Sequence, residues 1–276
     1  MASNKIRSAM VAGMFYPQKK ITLEREVALV LENAPDDMID GKIIALVVPH
    51  AGYMYSGGVA ARAYRQIIDH EFETVVVISP SHREYFKEIS IYDGYGYSTP
   101  LGVIPVDKEM ANNMIDCNPK IILSEKGHRF DEHALEVQLP FLQKVLDEFK
   151  LIPIVMGEQD LENVEVLANA LATVLKDKNA FIVASSDLSH FYSYDKATIM
   201  DKVVTENVKN FNEDKLFKDV QAGRCEMCGS GPVVTAMKAS KMLGANKSKV
   251  LLYRNSGDVT GDRNEVVGYM SAVFYK

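Results

Sequence analysis

A chain of 276 residues, 47% hydrophobic and 25% charged, carries enough apolar material for the core of one large domain and excludes a disordered or low-complexity class. A net charge of −6 with no Lys/Arg cluster argues against nucleic acid as a partner, and the lack of any window near 18 apolar residues argues against a membrane span. Three cysteines cannot frame a disulfide scaffold at this length, and the opening Met-Ala-Ser-Asn-Lys-Ile-Arg lacks the apolar stretch of a signal peptide, so a cytoplasmic protein with free or metal-bound thiols is expected.

In chain order, a helix is predicted over 24–33, a strand over 43–48, a helix over 58–70 and a strand over 74–78, which together make a βαβ unit. A Gly/Tyr-rich, strand-forming section follows, with strands at 88–92 and 103–106, and then a helix capped by Asp107. A long helical stretch over 132–149 contains Pro140, which should kink or interrupt it. Next come a strand over 151–156, a helix over 161–175 and a strand over 181–184. Helices over 194–210, 214–221 and 232–243 and strands over 250–254 and 266–274 complete the chain. No linker or internal repeat divides it, so one α/β domain over 1–276 is the simplest account, with its β-branched strands buried on both faces of a largely parallel sheet.

Three of these strands run straight into a histidine: Val48 into Pro49-His50, Ile78 into Ser79-Pro80-Ser81-His82, and Ala184 into Ser185-Ser186-Asp187-Leu188-Ser189-His190. Loops beyond the carboxyl ends of neighbouring strands converge on one crevice, so these histidines are expected to meet there, with His50 and His82 at the ends of adjacent strands. Imidazole suits iron, copper, zinc or nickel, and two histidines need a third ligand. Asp187, His190 and a C-terminal cysteine are the candidates.

Asp187 and His190, three residues apart, fall on one side if the segment makes a helical turn. They could then form an acid/base pair or support a metal; the lesser alternative is that Asp187 caps the turn while His190 packs. Ser185-Ser186 lacks the surroundings of a hydrolase nucleophile. The Cys225-x-x-Cys228 spacing, without a second such pair, cannot make a four-cysteine zinc site, and Cys225 reads as a buried inert thiol. Glu132, His133 and Glu136 sit near a helix start without the H-E-x-x-H pattern, though His133 could line the crevice. His70 and His128 read as surface residues.

Taken together, Ala12-Gly13-Met14-Phe15-Tyr16-Pro17, Pro49-His50-Ala51-Gly52-Tyr53-Met54-Tyr55-Ser56-Gly57, Ser79-Pro80-Ser81-His82, Ser98-Thr99-Pro100-Leu101-Gly102, the run from Glu132-His133 to Phe141-Leu142, Ser185-Ser186-Asp187-Leu188-Ser189-His190, Cys228-Gly229 and Gly268-Tyr269 resemble the Memo family, which is similar in fold to class III extradiol dioxygenases. The resemblance implies a three-layer α/β/α fold with a central mixed, largely parallel sheet. It also implies a metal site of His50, His82 and Cys228, with Asp187, His190 and His133 beside it as catalytic candidates. Iron, as Fe(II), or copper, as Cu(I), is the implied metal, with zinc ranked below them. Prokaryotic members are associated with a radical-SAM protein and an AMMECR-type protein, and animal members with receptor signalling and cell motility. One departure bears on mechanism: a cysteine stands where extradiol dioxygenases place a carboxylate, and a softer, more oxidisable thiolate argues against inherited ring cleavage. The expected function is a mononuclear metal protein, an oxidoreductase of unknown substrate taking a small molecule or peptide in its crevice. The alternatives are a non-catalytic peptide- or metal-binding module and a zinc-dependent hydrolase.

Overall fold

The structure, a computed structural model, describes residues 5–276; residues 1–4, on which part of the reading of the N-terminus rests, lie outside it. Strand β1 (Ile6–Arg7) leads through helix α1 (Lys20–Glu32) to β2 (Ile43–Val48), α2 (Tyr53–Arg65) and β3 (Thr74–Pro80). Then come β4 (Ile89–Tyr92), β5 (Gly96–Thr99), β6 (Gly102–Pro105), α3 (Lys108–Cys117) and β7 (Ile121–Ser124). A 3-10 turn (Glu136–Gln138) runs into α4 (Leu139–Val145), followed by β8 (Lys150–Met156), α5 (Leu161–Val174), β9 (Ala180–Ser185) and β10 (His190–Tyr192). The remainder is α6 (Tyr194–Lys209), α7 (Glu213–Gln221), α8 (Ser230–Met242), β11 (Lys247–Asn255), α9 (Gly257–Thr260) and β12 (Val266–Tyr275).

The main sheet is mixed, in the order β10-β12-β2-β9-β3-β8-β4-β7, with β11 on β12. Strands β2, β9, β3 and β8 are parallel neighbours, whereas β12 and β4 join them antiparallel. The period of two along each central strand divides the core into two layers. Val75, Val77, Phe181 and Val183 pack with Leu23, Val27, Tyr64 and Phe141 of α1, α2 and α4 on one face. Val76, Ile78, Ile182 and Ala184 pack with Met114, Leu167, Val204 and Met237 of α3, α5, α6 and α8 on the other. This is the three-layer α/β/α arrangement expected. Among the described residues no helix is long and apolar enough to cross a membrane.

Three local expectations are corrected. Strands β2 and β3 are not adjacent, because β9 inserts between them and pairs with both. The 132–149 segment is not one kinked helix. Phe130 and Asp131 adopt left-handed φ of 56° and 59°, the Glu132 carboxylate takes the backbone N–H groups of His133 and Ala134, and Pro140 stands at the first turn of α4, where its missing N–H costs nothing. His128 is not at the surface. It is 1% exposed, held by the Tyr97 hydroxyl at Nδ1 and by the Ser90 carbonyl 3.3 Å from Nε2.

Candidate metal centre

The parallel strands bring three chain ends to one edge of the sheet. His50 follows β2, Ser185 ends β9, and His82 follows β3, so β9 supplies the floor between the two histidines. Cys228 arrives on the turn before α8. Its backbone N–H donates to the Asp187 carbonyl at 3.2 Å, and the Gly229 N–H donates to Ser186 Oγ at 2.9 Å. A Cβ on Gly229 would stand 2.3 Å from the Ser185 carbonyl oxygen, so only glycine lets this turn reach the end of β9.

His50 Nε2 lies 3.2 Å from Cys228 Sγ, and one ligand atom from each of His50, His82 and Cys228 falls within 4.8 Å of the others. Ligands about 2.0 to 2.3 Å from a four-coordinate ion stand about 3.5 Å apart, so the three side chains nearly enclose one ion before any adjustment. The donor chemistry fits as well: two imidazoles and a thiol suit a soft or borderline metal. Burial drives the His50 imidazole far below its usual pKa, leaving it neutral, and burial with the nearby Asp187 charge pushes the Cys228 thiol well up, leaving it protonated. Cys225, fully buried and pushed up to about 11 chiefly by that burial, lies outside this group, as does exposed Cys117.

The other imidazole face of His82 is occupied. Its Nδ1 lies 3.0 Å from Glu132 Oε1, and its backbone N–H donates to the other oxygen of the same carboxylate. Burial alone would raise the Glu132 carboxyl, but hydrogen bonds from the His82 ring and from backbone N–H groups hold it down at about 2. Glu132 also falls with His82 and His133 in a second cluster of ligand type. Its Oε1 already accepts from the His82 ring and from the His133 and Ala134 N–H groups, so its lone pairs serve the loop.

His133 completes a triad of rings, its centroid 5.3 Å from that of His50 and 4.8 Å from that of His82, with the Phe15 ring tilted against it at 4.5 Å. Burial and the neighbouring histidines lower it to about 3, and its Nδ1 is buried with no hydrogen-bond partner. Asp187 is placed differently from the helical-turn expectation. Residues 186–189 are irregular, His190 opens β10, and Asp187 Oδ1 accepts the His50 backbone N–H at 2.7 Å. Burial raises the Asp187 carboxyl to about 6, opposed by that N–H and by the positive field of His190, which it does not meet in a hydrogen bond. The irregular loop is fixed from outside by Asp201 of α6, which accepts the Ser189 N–H at 3.0 Å, and by β12, whose Gly268 carbonyl takes the Leu188 N–H.

Two polar contributors escaped the reading of the sequence. Ser185 Oγ lies 2.8 Å from His50 Nδ1, and Gln138 Nε2 donates to that same hydroxyl at 2.9 Å. Nothing marks Gln138 in the sequence, whereas Ser185 had a signal in its place one residue beyond an apolar strand that ends at the crevice.

A model of the family described as Memo-like protein matches residues 7–273. A MEMO1 family protein of Methanobrevibacter smithii is 38% identical over 281 residues, covering 98% of this chain and 99% of that one. One of Aquifex aeolicus is 38% identical over 275 residues with the same coverage. The crystal structure of an uncharacterized protein from Escherichia coli K12 superposes with a TM-score of 0.60 at 14% identity, covering 85% of this chain and 100% of that one, a likeness of fold alone.

Proposed function

The chain belongs to the Memo family, and from that premise we propose that it binds one iron or copper ion through His50, His82 and Cys228 and acts as an oxidoreductase on a small molecule or peptide entering the crevice. The observation that carries this reading is the convergence of two imidazoles and a thiol, 178 residues apart at the extremes, to within one coordination sphere. A bound ion of either metal would supply a redox-active centre with coordination positions left open to a ligand. A reducing cytoplasm, which keeps a cysteine ligand from oxidising, suits such a site.

The chain's own residues divide the remaining work. Asp187 fixes the backbone at His50, Glu132 fixes the ring of His82, and neutral His133, its ring packed beside those of His50 and His82, is the group we assign to proton exchange with a bound molecule. A second reading, binding without turnover, draws support from Asp187, whose carboxylate serves backbone N–H groups rather than His190 as an acid/base partner would.

Elemental analysis of protein purified without oxygen tests the proposal. The wild type should carry about one iron or copper per chain, and His50→Ala or Cys228→Ser should carry none while folding as before. Metal-free wild type that takes up no equivalent of either ion would end it.

A further inference from the structure

The polar groups beneath His50 form a chain in which every proton can be assigned. The Pro49 and Ala134 carbonyl oxygens can only accept. Gln138 approaches Pro49 O at 3.0 Å, so the atom there is its Nε2 amide nitrogen, and the same nitrogen donates to Ser185 Oγ at 2.9 Å. Gln138 Oε1 then faces the Tyr64 hydroxyl, which donates to it at 2.8 Å. Ser185 has a single hydroxyl proton, and Ala134 O sits 2.6 Å from its oxygen. Two oxygens that close must share a proton, so the Ser185 hydroxyl donates to Ala134. With the hydroxyl proton spent there and one lone pair taken by Gln138, the contact of Ser185 Oγ with His50 Nδ1 at 2.8 Å can only be an N–H donated by the imidazole.

We infer that Ser185, oriented by Gln138 and Tyr64, is a positioning residue that holds His50 as its Nδ1–H tautomer, so that the Nε2 lone pair faces Cys228 and the metal position before any ion arrives. The inference rests on the metal reading above for its purpose but not for its geometry. All of the groups are buried: Tyr64, Gln138 and Ser185 are at most 1% exposed, so water cannot replace a missing partner. His82 reaches the same state by a separate route, its Nδ1 donating to Glu132 rather than to a hydroxyl. Two unrelated supports, one neutral and one charged, thus hold the Nδ1 sides of the two candidate ligand histidines. In the metal-free protein the His50 Nε2 lone pair accepts the Cys228 S–H across 3.2 Å. Such supports behind a metal-binding histidine set its tautomer and its basicity, and losing one typically weakens metal binding by about 10- to 100-fold.

The test is long-range proton–nitrogen NMR on full-length, metal-free protein labelled with nitrogen-15 in histidine, together with anaerobic calorimetry using ferrous ion alone. In the wild type, His50 should show a protonated Nδ1 and an unprotonated Nε2. In Ser185→Ala that single tautomer should be lost and ferrous affinity should fall by about 10- to 100-fold. His82, held by Glu132, should keep its wild-type nitrogen shifts in the same variant, whereas a general loosening of the crevice would move both rings. A wild-type His50 protonated at Nε2 overturns the inference, and this spectrum decides even if Ser185→Ala fails to fold. An unchanged His50 tautomer in folded Ser185→Ala also overturns it. Failure of the metal reading looks different: His50 carries its proton on Nδ1 in the wild type, yet ferrous and cuprous ions both fail to bind, and the assigned purpose of the tautomer falls with that reading.

Discussion

Two polar clusters lie a few residues apart in this protein, and they are finished to different degrees. In the first, Arg7 and Glu136, 3% and 0% exposed, form an ion pair in which every group is answered. Glu136 also takes the Tyr16 hydroxyl at 2.6 Å and the Met10 and Val11 N–H groups, while Arg7 donates to the His128 and Glu132 carbonyls. In the second, His50 is buried, His133 and Cys228 are half-buried and His82 is exposed; the His133 Nδ1 has no hydrogen-bond partner, and the His50 Nε2 meets the Cys228 sulfur, which also accepts the Asp187 N–H at 3.2 Å. A closed network holds the fold, here by tying the N-terminal segment to the loop that presents Glu132 and His133. A buried polar atom left without a partner beside candidate ligands marks a place for something else.

The contrast is broken most forcefully on the closed side. Arg7→Met leaves the Glu136 carboxylate buried without its counter-charge, and urea unfolding should show a loss of about 3 to 5 kcal/mol. A loss under about 1 kcal/mol would mean that the pair is not the clasp described.

The acid limb of stability gives the next largest effect. His128 is lowered to about 3, first by burial and then by the nearby Arg7 charge. Its unfolded counterpart binds a proton as pH falls through about 6.5, while the folded form resists until about 3, so stability is intact above that window and declines as pH drops through it. The loss should be on the order of a few kcal/mol, and His128→Gln should flatten the decline between those limits. An acid limb of equal steepness in the variant would assign it to other groups.

On the open side, metal should matter more than any ligand side chain. At a free ferrous concentration of about 100 times Kd the wild type should gain about 2.7 kcal/mol, and Cys228→Ser should gain none. Without metal, Cys228→Ser should unfold within about 1 kcal/mol of the wild type, since its sulfur sits in a loop beyond the sheet. A metal-free Cys228→Ser variant that is severely unstable would make this cysteine part of the core.

Glu132→Gln sharpens the same side with a smaller effect. Removing the charge behind His82 should weaken ferrous binding by about 10- to 100-fold, measured by calorimetry. Unchanged affinity would make Glu132 a support of the loop alone.

Much of this was legible in the sequence because the signals were local. Apolar β-branched runs such as those ending at Val48 and Ile78 announce strands, and a histidine after each announces the crevice edge toward which parallel strands point. Strand order is not local, and nothing in residues 180–185 says that they slot between β2 and β3. The segment 130–138 misled for a related reason. Its helical spacing is real, yet Glu132 and Glu136 accept backbone N–H groups and an arginine 129 residues away, so tertiary partners override the periodic pattern. His128 misled because its partners, Tyr97 and Ser90, lie some 30 to 40 residues back on other strands.

X-ray absorption at the metal edge of protein reconstituted with one equivalent of iron or copper reads the ligands around the ion itself. The wild type should show one sulfur and two imidazole nitrogens around the ion, and Cys228→Ser should lose the sulfur. A shell of light atoms alone in the wild type, or a sulfur that persists when Cys228 is replaced, would contradict that coordination.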